Sequence, residues 1–186
     1  MINKSNMVLQ KLLYWNYFVV FILVIFIFNN QSLIAQHKFN SASASISATI
    51  VIPIGITKAV DMNFGNIAAG ATPGTVKLDP TGTILTSGGI KIPSEKSTAT
   101  PASFIVSGEG AYTYNITLPS SPLIITRASG QETMLVDNFT SYPSGTGKLT
   151  SGSQTILVGA TLSVGAAQPA SQYRNESGFE ITVNYN

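Results

Sequence analysis

The chain has 186 residues, with ten Lys plus Arg, eight Asp plus Glu, one His and no Cys. The missing Cys and single His exclude zinc sites built on those ligands and any disulfide framework. Only 10% of the residues are charged and the formal net charge is +2, which excludes the basic footprint of a nucleic-acid binder.

Residues 1–36 differ in kind from the rest. Lys4 and Lys11 give a positive start, no acid precedes Asp61, and Phe18 to Phe28 is an unbroken apolar run of 11 residues. That length matches the hydrophobic region of a signal peptide and falls short of the roughly 20 residues of a membrane-spanning helix. Asn29-Asn30-Gln31-Ser32 ends the run. Cleavage is expected beside Ala35 or Gln36, although Leu33 stands where a small residue is usual. A retained anchor is the alternative, since counting back to Leu12 gives 17 residues with one amide, Asn16. Without Cys there is no lipidation site. Losing Lys4 and Lys11 would leave eight basic and eight acidic residues in a neutral remainder of about 150, the size of one domain. The expected organisation is a signal peptide over 1–36, a flexible mature N-terminus over 37–44 and one β-domain over 45–186. The location expected is the periplasm, the outer surface or the medium.

The remainder is rich in Gly, Ser, Thr, Ala, Val and Ile, and its short apolar runs alternate with period two. Ile46, Ala48, Ile50, Ile52 and Ile54 line one face of the first, with Ser45, Ser47, Thr49 and Val51 between them, and predict a strand. Val60 to Phe64 and Gly74 to Leu78 follow, the latter stopped by the turn sequence Asp79-Pro80-Thr81-Gly82. Thr83–Leu85 and Ile90–Ile92 flank Ser87-Gly88-Gly89 as a predicted hairpin. Ala102–Val106, Tyr112–Leu118, Leu123–Thr126 and Met134–Phe139 are further strands, and Ser141 to Gly147 reads as a loop. Thr155–Val164 alternates strongly, Pro169–Ser177 is polar and loop-like, and Phe179, Ile181, Val183 and Tyr185 alternate to the end. No segment beyond the first 36 residues sustains a helical period. Eight to ten short strands at this spacing predict an all-β antiparallel sandwich, with an up-and-down barrel as the lesser alternative.

Asp61-Met-Asn-Phe64-Gly65-Asn-Ile67 with Gly74-Thr-Val-Lys-Leu78, and Ala102-Ser-Phe-Ile-Val-Ser-Gly108 with Tyr114-Asn-Ile-Thr-Leu-Pro119, form ordered blocks. Val158-Gly-Ala-Thr-Leu-Ser-Val164 and Gly178-Phe-Glu-Ile-Thr-Val-Asn-Tyr185 complete the series. In order and spacing they resemble the bacterial DUF4402 domain family over roughly 45–186. The family's compact Gly-x-Tyr-x-Gly approach to the last strand is lengthened here, because Arg174 to Ser177 separate Tyr173 from Gly178. The resemblance extends to spore-coat-U-like and fimbrial-subunit sandwiches. It implies an immunoglobulin-like or pilin-like fold behind a hydrophobic signal helix, and a structural or adhesive role at the cell surface.

The residues offer no catalytic constellation, and neither cofactor nor metal is expected. His37 sits beside the cleavage point, and the eight acids (Asp61, Asp79, Glu95, Glu109, Glu132, Asp137, Glu176, Glu180) are dispersed without a calcium-loop pattern. Carboxylates paired by the fold, as in a hydrolase, stay open at this level. Ser144-Gly-Thr-Gly147-Lys148-Leu149 fails as a phosphate loop, because Leu149 replaces the Mg²⁺-binding hydroxyl and Tyr142 the first Gly.

Two readings of function remain. The terminal strands (Ile46, Ala48, Ile50, Ile52 and Ile54 at one end, Phe179, Ile181, Val183 and Tyr185 at the other) suit assembly by strand addition with other copies or related surface subunits. Alternatively both complete their own sandwich. The second reading is a monomeric secreted module that binds a glycan or a host or matrix protein through Tyr112, Tyr142 and Tyr173 in loops.

Overall fold

The computed structural model describes residues 4–28, 40–93 and 99–186. The expected cleavage point at Ala35 and Gln36, together with His37 and Glu95, lies outside the described residues. Contacts divide the chain into two units, Met1–Ala48 and Thr49–Asn186.

The first unit contains one helix, α1 (Lys4–Phe28), with no acid in its first turn and no base in its last. Among the described residues no helix is long and apolar enough to cross a membrane.

The second unit is all-β and antiparallel, with strands β1 (Gly55–Val60), β2 (Ala68–Leu78), β3 (Ile84–Lys91), β4 (Ala102–Ser107), β5 (Thr113–Thr117) and β6 (Leu123–Arg127). They are followed by β7 (Thr133–Tyr142), β8 (Thr146–Lys148), β9 (Ser153–Val164), β10 (Tyr173–Arg174) and β11 (Thr182–Tyr185). Eight strands form a forked sheet whose spine is β9. One side of β9 carries β7, β6 and β10 in succession. Its other side is shared: Ser153–Val158 pairs with β4, which carries β1, and Ala160–Val164 pairs with β2, which carries β3. The second sheet has three strands in the order β11-β5-β8.

Alternation decides the core. Ile156, Val158, Ala160, Leu162 and Val164 of β9 are all buried, each aliphatic side chain contributing about 1.5–3 kcal/mol on leaving water. One cluster joins the two sheets: Phe104, Val106, Ile156 and Val158 from the large one meet Tyr114, Ile116 and Val183 from the small one. The other cluster, Val76, Ile90, Val136, Ala160, Leu162 and Val164, belongs to the large sheet alone. Its cover includes Met62, Phe64 and Ile67 from the connection between β1 and β2. The all-β sandwich expected from the alternating runs is thus what the chain forms.

Several local expectations are corrected. The turn after β2 lies at Asp79–Gly82, where the Gly82 N–H donates to the Asp79 carbonyl at 2.8 Å and the Thr81 N–H to the Asp79 carboxylate at 2.9 Å. β3 therefore continues through Ser87-Gly88-Gly89, which was expected to be a hairpin turn. The register shift between Ala69 and Gly74 of β2 lies opposite this point, so the glycines accommodate a bulge rather than a reversal. Val60–Phe64 is not a separate strand: Val60 ends β1 opposite Ser103, and beyond it Asn63 makes an isolated bridge to Thr100. The supposed loop 141–147 is divided between the end of β7, where Tyr142 faces Leu157, and β8, where Gly147 faces Tyr114. Tyr173–Arg174 forms a short edge strand against β6 within the stretch expected to be loop.

The largest correction concerns Ile46 to Ile54. None of these residues lies in a strand, and β1 begins only at Gly55, opposite Ser107. Ser107 is the last residue of β4, so the ladder runs out of partner main chain, and Pro53 has no N–H to extend it. Alternation fixes which faces a segment would present. It does not supply a neighbour.

Candidate functional site

The two ends of the second unit meet at Tyr185. Its hydroxyl donates to the Ile52 carbonyl at 2.9 Å and accepts the Glu109 N–H at 2.6 Å. The Glu109 carboxylate in turn accepts the Ile52 N–H at 3.0 Å. Both main-chain groups of Ile52 are thus held by side chains, in a closed ring of three hydrogen bonds.

Local sequence explains the geometry. Tyr185 follows buried Val183 by two residues in β11, so both point to the same side of the small sheet. Pairing of Tyr185 with Tyr114 sets its height. The Tyr112 ring meets it edge-on, with centroids 5.5 Å apart and planes at 81°, a favoured aromatic geometry. Gly108 leaves room for the hydroxyl: a Cβ there would collide with the phenol oxygen and stand 3.2 Å from Leu149 Cδ1.

A second tyrosine anchors the sheet behind this ring. Tyr114 is 0% exposed and donates to Gln154 Oε1 at 2.7 Å, and the same oxygen accepts the Lys148 N–H at 2.8 Å. Burial raises the Tyr114 phenol above its usual pKa, because the phenolate would lose its hydration. Gly147 must lack a side chain, since a Cβ would overlap the Tyr114 ring.

The residues expected at the assembly ends are placed as follows. Val183 is buried, and Phe179, Ile181, Tyr185 and Ile54 are half-buried against the core that joins the sheets. Phe179 lies 5.8 Å from Phe104 and 5.1 Å from Phe139, centroid to centroid. Ile46 and Ile50 are 99% and 97% exposed, Ala48 is exposed, and Ile52 is exposed beyond its main-chain ties. The ladder of β11 covers only Thr182–Tyr185, so Phe179 and Ile181 precede it outside any strand.

The three loop tyrosines do not share an element. Tyr112 precedes β5 and packs on Tyr185, Tyr142 ends β7, and Tyr173 lies in β10 with its hydroxyl donating to the Pro169 carbonyl at 2.8 Å. Among the described residues no three His, Cys, Asp or Glu side chains gather to hold a metal. Asp79 and Glu132 are held below the usual carboxylate range, the first by the Thr81 N–H and hydroxyl, the second chiefly by its own N–H and by Arg127. Each stabilises a turn.

What the ring at Tyr185 does chemically is grip the main chain of Ile52 by its N–H and C=O. Sequence reasoning missed Glu109 and the Gly108 gap. The partners are 57, 76 and 133 residues apart, and no local pattern joins them.

No curated protein and no solved structure matches the chain. The family model of a domain of unknown function, DUF4402, matches residues 54–185, and the chain belongs to that family.

Proposed function

We propose that this protein is a non-enzymatic, exported cell-surface subunit that assembles with other copies of itself through its terminal segments. One observation carries the reading: an uncharged stretch with alternating aliphatic residues, Ile46 to Ile52, stands outside every ladder with Ile46 and Ile50 almost wholly in water. Leaving such residues exposed forfeits about 1.5–3 kcal/mol for each large aliphatic side chain, and a β-branched segment of this pattern recovers it by joining a sheet. The match to the family begins at Ile54, after this stretch. The helix from Lys4 to Phe28, basic at its start and apolar from Phe18, suits an export signal.

The test is the size of the full chain in solution, measured by light scattering over a concentration series, beside a variant lacking residues 40–51. Oligomers of the full chain that the deletion reduces to folded monomers support the reading. A full chain that stays monomeric at every concentration overturns it.

A further inference from the structure

Several strand edges in the described fold are unpaired, and they are not equivalent as acceptors. β10 offers two residues and β8 three. β1 is bent by a register shift between Lys58 and Val60 and carries Lys58, paired with Asp61 at 2.7 Å. Bulges and lysines are the usual devices that keep edges from pairing. β3 is longer, but Gly88 at φ +65° breaks its outer edge after four residues.

Phe179 to Tyr185 carries none of these devices. It holds no Pro, no Lys, no bulge and no residue at positive φ, and Glu180 is its one charge. Among the described residues the main chain of Phe179–Ile181 makes no hydrogen bond, and β11 is laddered only on its β5 side. Phe179, Ile181 and Tyr185 remain half-buried although they pack on the core, together with Ile54, just before β1, and Ile56 within it. A strand laid on this edge would extend the core with its inward side chains.

We infer that this edge accepts residues 45–51 of a second copy, an interface that rests on the self-assembly proposed above. The two segments match in length, seven residues each, and in pattern: Ile46, Ala48 and Ile50 alternate with Ser47 and Thr49, as Phe179, Ile181, Val183 and Tyr185 alternate with Glu180, Thr182 and Asn184. The incoming segment has no charge to set against Glu180. Within the second unit, Thr49–Val51 do not pair with the edge. Ile52 is tied to the Tyr185 side chain and the Glu109 carboxylate instead of to a ladder, and among the described residues 40–51 make no hydrogen bond. The ring at Tyr185 thereby fixes where the segment leaves its own subunit and leaves 45–51 for a neighbour.

The absence of Cys makes the test clean, because any disulfide comes from introduced residues. Full chains carrying Thr49→Cys are mixed under mild oxidation with full chains carrying Thr182→Cys, and in parallel with chains carrying Leu85→Cys on the β3 edge. Thr49 and Thr182 both fall on outward positions, where neighbouring strands bring Cα atoms within the roughly 4.4–6.8 Å a disulfide needs. The expected result is a crosslinked heterodimer that forms at least about tenfold faster for 49 with 182 than for 49 with 85. Oligomers that crosslink equally, or through Leu85→Cys, overturn this interface and leave self-assembly standing. A chain bearing both Thr49→Cys and Thr182→Cys that closes on itself at high dilution also overturns it. Absence of oligomers in the unmodified full chain overturns the underlying proposal instead.

Discussion

The Tyr185 hydroxyl donates to the Ile52 carbonyl at 2.9 Å across 133 residues of sequence. The penultimate residue of the chain thus holds the stretch that precedes the first strand. The same oxygen accepts the Glu109 N–H, and Glu109 closes the ring on Ile52. A phenol suits this position because one atom both donates and accepts, while its ring packs on Tyr112 and the core.

Replacing Tyr185 by Phe keeps the ring and removes the oxygen. The Glu109 N–H then loses its acceptor and the Ile52 carbonyl its donor, a loss of about 1 kcal/mol in a partly buried site. Amide exchange at Glu109 is expected to quicken about fivefold, with Ile52 following, while amides of β9 keep their protection. Unchanged exchange at both residues would mean that the ring does not restrain the segment.

How much of this was readable from sequence differs by level. Faces were legible: the alternation of Ile156, Val158, Ala160, Leu162 and Val164 is the buried spine of the large sheet. Boundaries were less so, because a Gly pair has the same composition in a turn as in a strand facing a bulge, and Gly88-Gly89 proved to be the second. Ile46 to Ile54 shows the deeper reason. Its period is as regular as that of β9, but whether a segment joins a ladder depends on a partner distant in sequence, and β4 ends at Ser107. The Tyr185 ring was illegible for the same cause, whereas Tyr185 itself was marked out by its place in the last alternating run.

The buried phenol of Tyr114 gives the fold an alkaline limit. Burial raises its pKa above 10.0, so above that pH the unfolded chain releases a proton that the folded chain retains. The unfolded state then binds fewer protons than the native one, and stability falls as pH rises. Below about pH 10 both states are protonated and the contribution is constant. Urea midpoints from about pH 9 to 11 are expected to fall more steeply for the natural chain than for Tyr114→Phe, which cannot ionise. The variant should also lose about 1 kcal/mol at neutral pH, because Gln154 is left with one donor fewer. Parallel midpoint curves for the two proteins would contradict the assignment.

Ile50 and Ile156 are the same side chain in opposite circumstances, 97% and 0% exposed. Ile156 sits in the core that joins the sheets, where Ile156→Ala removes three carbons from close packing and is expected to cost about 2–5 kcal/mol. Ile50 touches no core, so Ile50→Ser should leave the urea midpoint of a dilute sample within about 0.5 kcal/mol of the natural value. If residues 45–51 enter a neighbouring subunit, the two changes reverse their order in a different measurement. The subunit dissociation constant of Ile50→Ser should then weaken about tenfold or more, since a buried hydroxyl replaces an aliphatic group worth about 1.5–3 kcal/mol. Ile156→Ala at a temperature where it remains folded should dissociate like the natural chain. A weakened monomer fold in Ile50→Ser would instead show that the segment stabilises its own domain, and its exposure in the isolated chain would need another cause.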